Sequence, residues 1–166
     1  MFRFCSLYSG STGNSLYVET PNTKILIDAG ESAKKIVSAL SNIEVDITEI
    51  NAILVTHEHS DHIKGLGTLS KKYNIPVYAN KGTWQAMPDQ SIKIELANQK
   101  LFNSNTNFTI GDLKIFPFSI PHDAAEPCGF NIYYSNNKIS IATDLGHIDS
   151  NIILSLIHIS EPTRPR

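Results

Sequence analysis

The run Ala52-Ile53-Leu54-Val55-Thr56 breaks off into His57-Glu58-His59-Ser60-Asp61-His62, and this junction constrains the chain more than any other stretch. Three of the six histidines fall within those six residues. At this composition an H-x-H-x-D-H pattern arises by chance in roughly four chains of this length in ten thousand, so a solvated polar turn is a poor account of it. The preceding residues are mostly β-formers and read as a buried strand whose carboxyl end opens into the cluster. In extended backbone His57 and His59 point the same way, because side chains alternate with period two. Asp61 and His62 open the next helix and can turn toward a neighbouring point. Two adjacent metal ions are the natural occupants.

Such a site needs a folded domain to carry it. The chain has 166 residues, 41% of them hydrophobic, and a formal charge of −2. That is one domain's worth of chain, able to bury roughly 70% of the surface its unfolded form exposes, so no disulfide framework is required. Cys5 and Cys128 form no spacing pattern, and no cationic, apolar leader precedes Phe2–Leu7, which together point to a reducing, cytoplasmic compartment. No apolar run approaches the ~18 residues of a membrane span, so no membrane partner is expected. The near-neutral balance argues against gripping nucleic acid by charge alone.

The opening reads as a meander of short strands: Phe2–Tyr8, a Ser9–Asn14 break, then Ser15–Glu19 and Lys24–Asp28 around a Pro21-Asn22 turn. Ala33, Ile36, Val37 and Leu40 share one face of a helix. A helix is expected from about Asp61 to Tyr73, weakened early by Gly65 and Gly67. Pro76–Ala79 reads as a strand and Lys81–Met87 as a short helix closed by Pro88. The segment Gln90–Gly111 is ambiguous. Leu113–Ile120, Cys128–Tyr134 and Lys138–Thr143 read as strands, and Ile148–Ile159 fits a helix. The final stretch, with two prolines and two of the three arginines in its last seven residues, fits none of this, so a domain over residues 1–154 and a non-native or disordered tail over 155–166 are expected.

Further metal donors are sought among the His and Asp residues that end predicted strands. His122 follows Ser119-Ile120-Pro121, and Asp144 follows Ile139–Thr143. Imidazole and carboxylate donors without thiolate suit Zn²⁺, Mn²⁺ or Fe²⁺. A carboxylate such as Asp144 can bridge two cations, and ions roughly 3.5–4 Å apart lower the pKa of a shared water and stabilise an oxyanion, which is hydrolytic chemistry.

His57–His62 after its strand, Asp28 in Ile25-Leu26-Ile27-Asp28-Ala29-Gly30, His122, and Asp144 in Ala142-Thr143-Asp144 resemble the successive motifs of the metallo-β-lactamase superfamily. The resemblance implies an α/β (α+β) fold, the αββα sandwich. It implies that His57, His59 and His122 hold a first ion, that Asp61 and His62 hold a second, that Asp144 bridges, and that Asp28 stands behind the ligands. Asp61 is carried over as the catalytic residue as well as a ligand.

Cys5–Ser15, Pro121-His122-Asp123-Ala124 and Pro127-Cys128-Gly129-Phe130 are similar to the YycJ/WalJ-like branch. That similarity implies an exonuclease whose metal-bound hydroxide attacks phosphodiesters, with DNA as partner. The superfamily completes its second site with a histidine well downstream of the bridging aspartate. His147 and His158 are the remaining candidates here and neither matches, so the chain reads as an N-terminal portion whose second metal is short of a ligand.

Other readings of the same residues stay open. The site suits attack on a carbonyl, as in lactonase-, thioesterase- or glyoxalase-type members, and the acidic balance fits that slightly better. A di-iron redox centre is disfavoured by His59, where such sites tend to carry an acid. An inactive metal-binding fragment is the non-catalytic alternative. Taken alone, His122 reads as a surface or capping residue, and Asp28 before a glycine reads equally as a turn residue. Ser9–Asn14 lacks the lysine of a phosphate loop and Ser11 lacks a base, which leaves a tight turn near the site. Cys5 and Cys128 read as small hydrophobes, and Lys34-Lys35 and Lys71-Lys72 as solvated helix surface.

Overall fold

The computed structural model describes residues 1–142. Asp144, His147, His158, the helical pattern at 148–159 and the tail at 155–166 lie outside the described residues. The chain opens with strands β1 (Arg3–Tyr8), β2 (Ser15–Glu19) and β3 (Lys24–Ile27), followed by helix α1 (Ala33–Asn42). Strand β4 (Ala52–Leu54) leads into helices α2 (Ser60–Ile63) and α3 (Leu66–Tyr73), then β5 (Val77–Ala79), α4 (Lys81–Ala86) and α5 (Pro88–Ser91). Strands β6 (Gln99–Leu101), β7 (Phe108–Ile110), β8 (Leu113–Ser119), β9 (Cys128–Tyr134) and β10 (Asn137–Ile141) complete the described elements.

The first six strands form one sheet in chain order. The β1–β2 and β2–β3 pairs are antiparallel, and the pairs from β3 to β6 are parallel. The other four form an antiparallel sheet ordered β10-β9-β8-β7. Two cores follow from the alternation of side chains. Leu26, Ile53 and Val77 pack with Ile36 and Leu40 of α1 and Leu66 and Leu69 of α3. Ile25, Ile27, Ala52 and Leu54 face the other way, onto Ile115, Phe130, Ile132 and Ile141 of the second sheet. Because β3 and β4 are covered on both faces, they read as unbroken apolar runs rather than alternating ones. Helices, first sheet and second sheet are thus three successive layers, the order the αββα sandwich requires.

Helix α1 begins where the Ser32 hydroxyl accepts the Lys35 N–H at 3.3 Å, an ordinary side-chain cap. The expected helix from Asp61 to Tyr73 is two helices. The break falls at Gly65, which donates to Ala29 O at 2.8 Å and where a Cβ would lie 2.3 Å from Glu31 O. Backbone crowding against the β3–α1 connection interrupts the helix there. Pro88 closes α4 as expected and also starts α5, where its fixed φ suits the first turn. Among the described residues no helix is long and apolar enough to cross a membrane.

Candidate metal centre

The parallel register sets Ile27 of β3 beside Leu54 of β4, so both strands end together, and the residues just beyond them meet. Asp28 donates its N–H to Leu54 O at 2.7 Å and adopts a left-handed φ of 66°, which Asp tolerates better than most residues. Its carboxylate is buried. Oδ1 accepts the Thr56 N–H at 2.8 Å, and Oδ2 accepts the Thr56 hydroxyl at 2.7 Å and contacts His62 Nδ1 at 2.6 Å. With its proton spent on Asp28, the Thr56 oxygen is left to accept from His57 Nδ1 at 2.9 Å. Both imidazoles are thereby assigned a hydrogen on Nδ1 and a lone pair on Nε2, one of the two arrangements in which histidine ligates metals. Burial is the main influence that pushes His57 down to about 4, with the neighbouring His62 adding to it and Asp28 opposing. A neutral imidazole is what a metal ligand must be.

Around buried His57 stand His59 and His122, both half-buried. One nitrogen from each of the three lies within 4.8 Å of the others, and His122 Nε2 is 3.2 Å from His59 Nδ1. Metal–nitrogen bonds of about 2.0–2.1 Å in a tetrahedron separate ligand atoms by roughly 3.3–3.4 Å, so the His59–His122 pair already has the required separation and His57 would have to close on it to share one transition-metal ion. His122 arrives from the other sheet, on the β8–β9 connection. Glu58 Oε2 accepts the Ala125 N–H at 3.0 Å, and Glu126 Oε1 accepts the Gly82 N–H at 2.9 Å at the start of α4. The Asn80 amide donates to Glu126 O at 2.8 Å, and the Cys128 N–H to Thr56 O at 3.0 Å. These bonds tie the His122 loop to the His57–His62 segment and to α4.

A second pair of donors adjoins the first. His62 Nε2 is 3.6 Å from Asp61 Oδ2, a separation one ion can span. Cys128 is buried, and burial raises its thiol well above the ordinary range, so it stays protonated and offers no thiolate. The available donors are nitrogen and oxygen, the set that suits Zn²⁺, Mn²⁺ or Fe²⁺.

The structure therefore brings together His57, His59, Asp61, His62 and His122, with Asp28 directly behind them. Thr56, Glu58 and Glu126 escaped the sequence reading. Thr56 was legible in principle, since two adjacent parallel strands ending together bring the next residues into contact. The glutamates act across long sequence separations that leave no local pattern. Lys34, Lys35, Lys71 and Lys72 are exposed, as expected of solvated helix surface.

The sequence profile of the beta-lactamase superfamily domain matches residues 23–159. The exodeoxyribonuclease YycJ of Bacillus anthracis is 44% identical over 149 residues, which are 90% of this chain and 56% of that protein. The exodeoxyribonuclease WalJ of Streptococcus pneumoniae is 40% identical over 153 residues, 91% of this chain and 57% of that protein. The chain thus spans a little over half the length of these curated relatives. Among solved structures, the class B3 di-zinc metallo-β-lactamase LRA-12 from an Alaskan soil metagenome superposes with a TM-score of 0.66 at 19% identity, covering 79% of this chain and 58% of that one. A B3 enzyme with an active-site glutamic acid gives 0.68 at 17% identity, with 82% and 58% covered. At those identities the likeness is one of fold.

Proposed function

The chain belongs to the metallo-β-lactamase superfamily, and from that premise we propose that the whole protein is a metal-dependent hydrolase of phosphodiesters, an exonuclease acting on DNA. The observation that carries the hydrolase reading is the convergence of His57, His59 and His122 beside the Asp61–His62 pair. DNA is favoured over a carbonyl substrate by the 44% identity with an exodeoxyribonuclease.

In this reading His57, His59 and His122 would hold one divalent ion and Asp61 and His62 a second, with Asp144 as a further carboxylate donor. Zn²⁺ or Mn²⁺ is the expected metal, with Fe²⁺ a third candidate. Bound there, two such ions acidify a water and neutralise charge developing on the attacked phosphate, which compensates for the chain's net charge of −2.

The protein's own groups do the rest. Asp28 and Thr56 keep His57 and His62 in the tautomer that faces the ions. Asp61, a quarter exposed, is placed to hold an ion and to accept a proton from the attacking water. Glu58 and Glu126 keep His122 within reach of His59. Cys5 and Cys128 are unpaired, in keeping with a cytoplasmic protein.

The test is a side-by-side assay of protein carried to the length of its relatives, loaded with Mn²⁺ or Zn²⁺. End-labelled single- and double-stranded DNA would be set against a panel of lactones and thioesters. Shortening of DNA from an end, faster than ester turnover, is expected. Ester turnover with intact DNA moves the assignment to the carbonyl class, and no stoichiometric metal after chelator-free purification defeats it altogether.

A further inference from the structure

The Ser9–Asn14 turn, which carries neither a phosphate-loop lysine nor an activated serine, ends in a side chain that reaches the site. The Asn14 N–H donates to Asp61 O at 2.8 Å, and the Gly30 N–H donates to Asn14 O at 2.9 Å. A Cβ at Gly30 would lie 1.8 Å from Asp61 O and 2.6 Å from Asn14 N, so the approach of residues 14 and 61 depends on that glycine. The Asn14 amide adds contacts of its own. Nδ2 donates to Gly10 O at 2.8 Å and reaches Asp61 Oδ2 at 3.1 Å and Asp61 O at 3.3 Å. With two hydrogens for three oxygens, one closes the turn and the other is shared between the two Asp61 oxygens. Oδ1 accepts the Gly10 N–H at 3.2 Å, so all of the amide's polar atoms are engaged.

The oxygen that Asn14 holds is the one that faces His62 Nε2 at 3.6 Å. We propose that Asn14 is a positioning residue for the second metal position, restraining Asp61 Oδ2 at the separation from His62 that one ion spans. This assignment rests on the two-ion reading of the site. An aspartate a quarter exposed is otherwise free to swing away, and freezing it would have to be done by the ion itself. The chemistry of the donor matters too. A lysine here would bring a positive charge into competition with the cation, and an aspartate would repel Asp61; a carboxamide holds the oxygen and leaves its charge for the metal. The turn thus acquires a role that its sequence alone did not suggest.

The two backbone bonds survive any side-chain substitution, so the tether between the turn and α2 can be separated from the action of the amide. The experiment uses protein at the length of its relatives, as wild type, Asn14→Ala and Asn14→Asp. Metal-free samples are titrated calorimetrically with Zn²⁺ and Mn²⁺, and their melting is followed in parallel. Asn14→Ala is expected to weaken the second ion by about 10- to 100-fold, the usual effect of removing a group that orients a ligand, and to leave the first within about twofold by the same comparison. Asn14→Asp should weaken the second ion further. In both variants kcat, rather than KM, should fall at limiting metal and recover as metal is raised, which a merely structural role in closing the turn would not produce. Equal affinities in all three proteins, or parallel weakening of both ions together with a loss of melting temperature, overturns the assignment. A wild type that takes up one ion overturns the two-ion reading and this assignment with it.

Discussion

The two sides of the candidate centre are built differently. On one side Asp28, Thr56 and His57, just beyond the ends of two parallel strands, and His62 of α2 are buried and joined by hydrogen bonds. On the other side His59, Asp61 and His122 are half-buried and held by loops, through Glu58, Glu126 and Asn14. The first side is part of the core, and the Asp28 carboxylate fixes its Thr56, His57 and His62 groups by hydrogen bonds within the protein. The second can be altered without opening the core, and its side chains are partly exposed to solvent. A site assembled this way keeps part of its ligand set preorganised by folding, while the ion-dependent part stays accessible.

The sharpest way to break the contrast is at Asp28. Asp28→Ala leaves the Thr56 amide and hydroxyl and His62 Nδ1 without their acceptor, and it puts alanine in a left-handed conformation. A loss of about 3–5 kcal/mol is expected from stranding buried polar groups, a large part of a domain's ordinary stability. Denaturant unfolding of the metal-free protein checks it. Asp28→Asn, which keeps the shape and the backbone preference, should cost less than half as much.

His59→Ala and Asp61→Ala should behave oppositely, with stability within about 1 kcal/mol of wild type because neither side chain is core. Hydrolysis by the whole protein should fall at least about 100-fold, or roughly 2.7 kcal/mol in the barrier. Matched melting curves and initial rates measure both.

Chelation should have a smaller effect on the fold. Because the Asp28 network is satisfied by the protein itself, metal removal should leave the far-ultraviolet dichroism unchanged and lower Tm by no more than the bound-ion linkage requires. Unfolding on chelation would mean that the ions, rather than Asp28, organise the buried side.

The smallest effect sought is at the thiols. Cys128, buried with its thiol raised, should resist alkylation in the folded protein, while half-buried Cys5 reacts first. Mass mapping after brief iodoacetamide treatment distinguishes them.

Much of this was legible from residues alone, for physical reasons. The strands around the site were readable because β3 and β4 are doubly covered and so continuously apolar. The H-x-H-x-D-H segment was readable because three of the chain's six histidines and an aspartate fall within six residues at the end of a buried strand. Strands β6 and β7 were not readable. Each is only three residues long, and in Gln99-Lys100-Leu101 two side chains are exposed and the third only half-buried, so no alternation marks the segment. The helix break at Gly65 was visible only as a weakness, since its cause is backbone from Glu31. Asn14 acts on a partner 47 residues away, and a local pattern cannot report such a contact.

The most direct test of the central claim is an anomalous diffraction measurement at the zinc or manganese edge on protein carried to the length of its relatives. Two peaks per chain are expected, one among His57, His59 and His122 and one between Asp61 and His62, with His57 and His62 turned as Asp28 and Thr56 set them. A single peak, or metal held by other residues while these imidazoles face away, would contradict it.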